Sequence, residues 1–260
     1  MKIERTFLRS KVARRIFFLF ISCALLPICI LAVISFFQVA AKLRSQNQME
    51  LRQASKARGM TIIERLETLD AEIQTISLGL QRSGHTAPHD ELEAHFLNIT
   101  VFYPREKAAS LLGSVFVEPS FNAAEKSHLA SGKSLLLTRN CGATAKNCLL
   151  MVHAVDPLHD DAGIIAGQIS ADYLWDKETL PSSMDLSVFD ASTPLFGSKE
   201  SVPPLRSLKD DRLGVGERWF EWKQGTTQYD AAYWRLLLAP QFHAASWTIV
   251  VSRKHDEIAA

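Results

Sequence analysis

Two apolar patterns of different period divide the chain. From Ile16 to Phe37 there are 22 consecutive residues without a charge, interrupted only by Ser22, Ser35 and Pro27 among apolar side chains and cysteine. A helix of that length, rising about 1.5 Å per residue, reaches across the roughly 30 Å hydrocarbon core of a bilayer. Pro27 removes one backbone hydrogen bond but does not argue against spanning, because membrane helices satisfy the freed carbonyl through neighbours or local distortion. The stretch from Gln38 to Arg58 is polar and free of proline, and Ile62, Leu66, Leu69, Ile73, Ile76 and Leu80 follow at spacings 4-3-4-3-4. That heptad stripe predicts a helix continuing out of the membrane to about Gln81, ended by the breaker-rich Ser83-Gly84-His85-Thr86-Ala87-Pro88. The stripe has two uses: pairing with the same helix of a second subunit as a dimer seam, or lying against the sheet of its own domain. Fewer than three full heptads leave both open.

Beyond residue 90 the pattern changes to short runs rich in Val, Ile and Leu, separated by turn residues. Leu111–Val117, Ser134–Thr138, Cys148–Val155 and Gly163–Ala171 read as strands of an antiparallel sheet. A second, smaller set follows the Pro-Ser-Ser linker at 181–183: Asp185–Phe189, Thr193–Phe196, Tyr229–Leu238 and Trp247–Val251. The polar loop Gly197–Gly216, with Pro203-Pro204, belongs at the surface. The expected organisation is a basic segment 1–15, a membrane helix 16–37, a long helix 38–82, and two small α+β units at 83–180 and 181–258.

Charge orients this layout. Overall the chain is nearly balanced, 29 Lys+Arg against 28 Asp+Glu, which gives no support for a nucleic-acid binder. The distribution is uneven, however. Lys2, Arg5, Arg9, Lys11, Arg14 and Arg15 precede the span, whereas only Lys42, Arg44 and Arg52 occupy the 15 residues after it. The positive-inside bias puts the N-terminus in the cytoplasm and everything after about residue 40 outside it. The competing reading, a cleaved signal peptide with Val39-Ala40-Ala41 as its site, requires a shorter apolar core.

Three stretches carry a family resemblance. The anchor and helix, "ARRIFFLFISCALLPICILAVISF" followed by "LRQASKARGMTIIERLETLDAEI", resemble the start of bacterial transmembrane receptors. "CLLMVHAVDPLHDDAGIIAGQISADYLWD" is similar to the Cache hairpin of strand, short turn, Gly-rich strand and Asp-containing exit, and "SWTIVVSRKHDEI" looks like the last strand before a second membrane helix. The layout resembles the extracytoplasmic Cache sensor regions, PAS-like and of the double (dCache) type, of histidine kinases, chemoreceptors and GGDEF or EAL proteins. The resemblance implies an α+β fold of one or two PAS-like antiparallel-sheet units in the bacterial inner membrane. It also implies a homodimer, a small-molecule ligand or periplasmic partner protein, and a two-component, cyclic-di-GMP or chemotaxis output. In that family a second span and an output module follow, so a fragment or truncated receptor is expected, with a second span after Ala260. The Tyr, Arg, Trp and Asp pattern of amino-acid-binding members has no match here, and no ligand class carries over.

Candidate chemistry is sparse. Cys141 and Cys148 enclose six residues between two predicted strands in an oxidising compartment, which favours a disulfide over two free thiols or a redox pair. Cys23 and Cys29 lie within the span as small apolar filler. His153, Asp156, His159, Asp160 and Asp161 put five possible metal ligands within nine residues, but without a spacing signature they fit a solvated turn, and no metal or other cofactor is expected. His85 and His89 read as exposed. Ser131-Gly132-Lys133-Ser134 has the form of the end of a phosphate-binding loop, yet the required earlier glycine is Ser127. No Gly-x-Ser-x-Gly, His-Glu-x-x-His or Ser-x-x-Lys motif is present, which lowers the case for an enzyme. For a binding pocket, Arg139, His153 and Tyr173 are the polar or amphipathic groups at or near the predicted strands. The sequence thus points to a non-catalytic sensory region; the alternative is a membrane-tethered periplasmic hydrolase or a structural interaction protein.

Overall fold

The stripe from Ile62 to Ile76 is fully buried. In the computed structural model, which describes residues 11–83, 89–104, 106–139, 147–176, 179–191, 193–197, 202–204 and 219–255, helix α1 runs over Lys11–Ser83 with Pro27 inside it. Two compact units are distinguished, Met1–Met49 and Glu50–Ala260. In the first, α1 contains the one described helix long and apolar enough to cross a membrane. Its large side chains, Phe17, Phe18, Leu19 and Phe20 among them, are exposed, as are Cys23 and Cys29.

In the second unit α1 meets two antiparallel sheets. The first has the order β2-β1-β5-β4-β3, with β1 at Phe96–Phe102, β2 at Ala109–Leu112, β3 at Leu135–Arg139, β4 at Cys148–Ala154 and β5 at Ile164–Ile169. The second has the order β7-β6-β10-β9-β8, with β6 at Asp185–Asp190, β7 at Thr193–Gly197, β8 at Trp219–Gln224, β9 at Thr227–Leu236 and β10 at Trp247–Lys254. Short helices α2 (His89–His95), α3 (Ala123–Ala130), α4 (Ala171–Trp175) and α5 (Ala239–Phe242) complete the described elements. The α+β architecture of a long helix followed by antiparallel sheets is the one the sequence predicts.

Of the two uses open to the stripe, the fold takes the intramolecular one. Ile62, Leu66, Leu69, Ile73 and Ile76 are at most 2% exposed. They join one apolar core with Ile99, Met151 and Ile165 of the first sheet and Leu186, Ile249 and Val251 of the second, and Leu80 packs against its edge. Those side chains are therefore not available as a seam for a second copy. Polar contacts lock the helix to both sheets. Ser77 Oγ donates to the carbonyls of Val155 at 2.8 Å and Ala154 at 3.2 Å, while Arg253 of β10 reaches Glu50 through both guanidinium nitrogens at 2.9 and 3.1 Å.

The first sheet is covered on both faces, which is why β4 is buried at all seven positions instead of alternating. Met151 and Ile165 face the helix core, while Leu150, Val152, Ala154 and Ala166 form a second cluster with Phe102 and Leu129. Strand β2 ends at Leu112, short of the predicted Leu111–Val117. Gly113 turns the chain at φ +64°, and Asn98 Oδ1 accepts from Ser114 N at 2.8 Å, pulling the backbone out of the ladder. Strands β1 and β8 were not predicted as strands. Phe96-Leu97-Asn98 lacks regular alternation, whereas β8 alternates buried Phe220 and Trp222 with exposed Glu221 and Lys223, a signal only four residues long.

Helix and sheet pack closely at Gly167, where an added Cβ would lie 2.7 Å from the Phe96 ring and 2.9 Å from Ile73 Cδ1 of α1. Gly167→Val overpacks this contact, and a loss of about 1–3 kcal/mol is expected. Thermal unfolding of the full chain in detergent checks it: an unchanged midpoint contradicts the close approach.

Candidate functional site

The outer face of the first sheet, opposite α1, carries a cavity of about 490 Å³, within the range of small-molecule sites. Three pieces of chain wall it in. Phe102, Ala154 and Ile164 of the strands form the floor, Lys126, Ser127, Leu129 and Ala130 of α3 one side, and the β4–β5 turn with Asp156, Pro157 and His159 the other. Pro104, Glu118 and Phe121 contribute from the connection leading to α3.

Each wall has a local cause. Helix α3 begins with a capping box in which Asn122 Oδ1 accepts from Glu125 N at 2.9 Å and Glu125 Oε2 accepts from Asn122 N at 2.8 Å. In the turn, Asp156 Oδ1 accepts from Leu158 N at 2.9 Å and Oδ2 from His159 Nδ1 at 2.8 Å. The Leu158 amide, followed by His159, holds the Asp156 carboxyl below its usual range, and Asp156 raises His159. The turn closes through Gly163, at φ +87°, where a Cβ would stand 2.3 Å from the Phe102 carbonyl oxygen. Only glycine fits there. The result is an apolar floor beneath groups of both signs, Lys126 and His159 against Asp156 and Glu118. Such a site suits a small molecule carrying both charges.

None of Arg139, His153 and Tyr173 lines this cavity, and the three are not brought together. Arg139 is exposed at the end of β3 and donates to the Ser120 carbonyl at 3.0 Å. Tyr173 lies on the helix side, its ring 3.9 Å from that of His95 and 5.3 Å from the Arg65 guanidinium. Burial raises its pKa. His153 faces α1, where its Nδ1 donates to Ser134 Oγ at 3.0 Å and Ser134 in turn donates to Asp70 Oδ1. Asp, Ser and His are the residue types of a hydrolase triad, but here the serine sits between the other two and its proton goes to the carboxylate. Ser134 Oγ is thus hydrogen-bonded on both sides, to the Asp70 carboxylate and to His153 Nδ1. The buried network holds the sheet to the helix.

Of the clustered turn residues, Asp156 and His159 face the cavity and His153 faces the other side of the sheet. Among the described residues no three His, Cys, Asp or Glu side chains are grouped to hold a metal. Cys148 is buried at the start of β4, while Cys141 and His85 lie outside the described residues. The cavity residues Lys126, Phe121 and Glu118 went unrecognised in the sequence. The one legible signal was Asn122-x-x-Glu125, which announces the helix carrying Lys126.

This architecture is similar to several solved structures. The ligand-binding domain of the Pseudomonas fluorescens chemoreceptor CtaA, in complex with L-isoleucine, aligns with TM-score 0.61 at 12% identity over 86% of this chain and 98% of that one. That of the Campylobacter jejuni chemoreceptor Tlp3, with 4-methylisoleucine, gives 0.60 at 11% identity over 83% and 94%. The ligand-binding domain of the Pseudomonas aeruginosa PAO1 amino acid chemoreceptor PctB, with L-Arg, gives 0.60 at 12% over 83% and 98%. No protein-family model and no curated protein matches the chain. The fold is that of the ligand-binding domains of bacterial chemoreceptors, the double Cache type that the sequence resembles.

Burial pushes the His153 pKa down from its ordinary 6.5, with Asp70 opposing. A folded-state value below the unfolded one means that the stability His153 contributes is present above about pH 6.5 and lost as pH falls toward the lower folded value. His159, raised by Asp156, acts in the opposite direction. Comparing thermal midpoints of wild type and His153→Gln between pH 7.5 and 5 isolates the term: the wild type loses stability more steeply on acidification. Parallel profiles contradict a neutral buried imidazole.

Proposed function

We propose that the chain is the extracytoplasmic sensory region of a bacterial inner-membrane signalling receptor, with its N-terminus in the cytoplasm and residues after about 40 outside. A small molecule occupies the cavity on the outer face of the first sheet. The observation that carries this reading is the cavity itself, with its apolar floor and groups of both signs, in a fold whose solved neighbours hold amino acids. A ligand of the size and charge of a free amino acid fits it best. Lys126 offers a cation to the ligand's carboxylate, and Asp156 with Glu118 offers carboxylates to its ammonium group.

The units bounded at 83–180 and 181–258 act in series, the first holding ligand and the second leading back toward the membrane. Ligand binding shifts the population of two arrangements of α1, by no more than the ligand's differential affinity for them. The signal passes to a cytoplasmic module of kinase, cyclic-di-GMP or chemotaxis type in a homodimeric receptor with a second span. A non-catalytic role accords with solved neighbours that are ligand-binding domains.

Thermal unfolding of the full chain in detergent against amino acids, carboxylates, polyamines, purines and divalent metals tests the reading. A ligand at 100 times its Kd stabilises by about 2.7 kcal/mol. A shift confined to zwitterionic amino acids, weakened at least tenfold in apparent affinity by Asp156→Asn or Lys126→Met, is expected. No shift with any compound favours a partner-protein receptor or a plain tether.

A Cys141–Cys148 disulfide closes the β3–β4 connection. Thiol titration of the denatured chain should find two free thiols, Cys23 and Cys29, and four after reduction. Four without reduction contradicts the bridge.

A further inference from the structure

A second cavity, of about 390 Å³, opens where α1, the end of α4, the connection to the second sheet and β10 meet. Leu180, Pro181, Met184 and Val251 form its apolar wall, and Arg58 and Arg65, two turns apart on α1, stand on its charged side with Asp176.

The two arginines are differently engaged. Arg65 pairs with Asp176 Oδ2 at 2.6 Å and donates to the Tyr173 carbonyl, so its charge and its donors close the end of α4. Arg58 is half-buried and makes no hydrogen bond or ion pair with any described residue. Among the described residues one carboxylate thus faces two guanidinium groups, a surplus of positive charge on the cavity wall. The other hydroxyls on its wall are already engaged: Thr61 donates to the Ala57 carbonyl at 3.1 Å, and Thr179 to Asp176 at 3.2 Å. The vacant donors belong to Arg58, whose planar fork matches a carboxylate through two parallel hydrogen bonds. Burial, the main influence, draws down the Arg58 pKa, Asp176 opposes it and Arg65 adds to the lowering. An arginine so placed stays charged, and among the described residues it has no ion-pair partner of its own.

We propose that this cavity binds a short-chain aliphatic monocarboxylate, its carboxylate held by Arg58 and its alkyl chain laid against Leu180, Pro181, Met184 and Val251. The apolar wall rewards each added methylene, and the Asp176 carboxylate disfavours a dianion such as phosphate. The site is separate from the outer cavity of the first sheet and goes beyond the function proposed for it. A ligand here would bridge α1 to the connection between the sheets.

The test is calorimetric titration of the full chain in detergent, at constant ionic strength, with sodium acetate, propionate and butyrate, and with butyramide and inorganic phosphate as controls. Saturable binding that strengthens from acetate to butyrate, with none for the neutral butyramide, is expected. Arg58→Met, which breaks no hydrogen bond, should weaken butyrate at least tenfold. So should Ala57→Trp, which fills the cavity from an exposed helix position. Asp156→Asn in the outer cavity should leave butyrate affinity within twofold, so the two sites fail independently. The proposal is overturned by any of four results: no saturable butyrate binding, equal binding of butyramide, phosphate bound in preference to butyrate, or butyrate affinity that follows Asp156→Asn instead of Arg58→Met.

Discussion

Burial of one stripe of α1 between two sheets is the constraint on which the rest of this protein depends. Ile62, Leu66, Leu69, Ile73 and Ile76 contribute to a single core shared with strands from 96–169 and from 185–254. Neither sheet buries its inner face without that helix, and the helix does not bury its stripe without them. Close packing then dictates small residues where backbones converge. Gly167 lies under Phe96 and Ile73, and Gly59 of α1 faces the Trp234 ring, which an added Cβ would meet at 2.5 Å. Interfaces packed this tightly shift between discrete arrangements and do not deform continuously, a property that suits a helix read as the output of a sensor.

The two faces of the first sheet are put to different purposes by the same strands. On the inner face, Asp70, Ser134 and His153 form a chain of hydrogen bonds, and Ser77 bonds the end of β4. On the outer face, a capped helix and a glycine-dependent turn hold the covering segments away from the sheet and leave a cavity. A buried polar group without a partner costs more than a hydrogen bond gains, so inward groups such as His153 are matched within the fold. Asp156, by contrast, lies on the cavity wall with its carboxylate held by the Leu158 amide and His159, and Lys126 lines the wall opposite.

The same distinction separates Arg65 from Arg58. Both project from α1 toward one cavity, yet Arg65 closes α4 through Asp176 and the Tyr173 carbonyl, while Arg58 has no such work. Spacing along the helix makes them equivalent; only their partners make them different. Tyr173 has a structural setting for the same reason, its ring held between His95 and Arg65.

Much of this was legible in the sequence because it is local and periodic. The uncharged run from Ile16 to Phe37, the heptad stripe, and the apolar runs that became β3, β4, β5, β6, β7, β9 and β10 are signals carried by neighbouring residues. Strand β1 is less legible because its start lacks alternation, β8 because its alternation from Phe220 to Lys223 is only four residues long, and the end of β2 because the Asn98 side chain, distant in sequence, bonds the chain just after Gly113. Which use the stripe serves, and which polar residues share a cavity, were decided only by the tertiary structure. Alternation along β4 put His153 and Ala154 on opposite faces, so the imidazole went to the core and an alanine to the cavity floor. Periodicity along a chain determines what a segment becomes, whereas a site is a coincidence in space of side chains from β4, α3 and the connections between strands, and no local pattern encodes it.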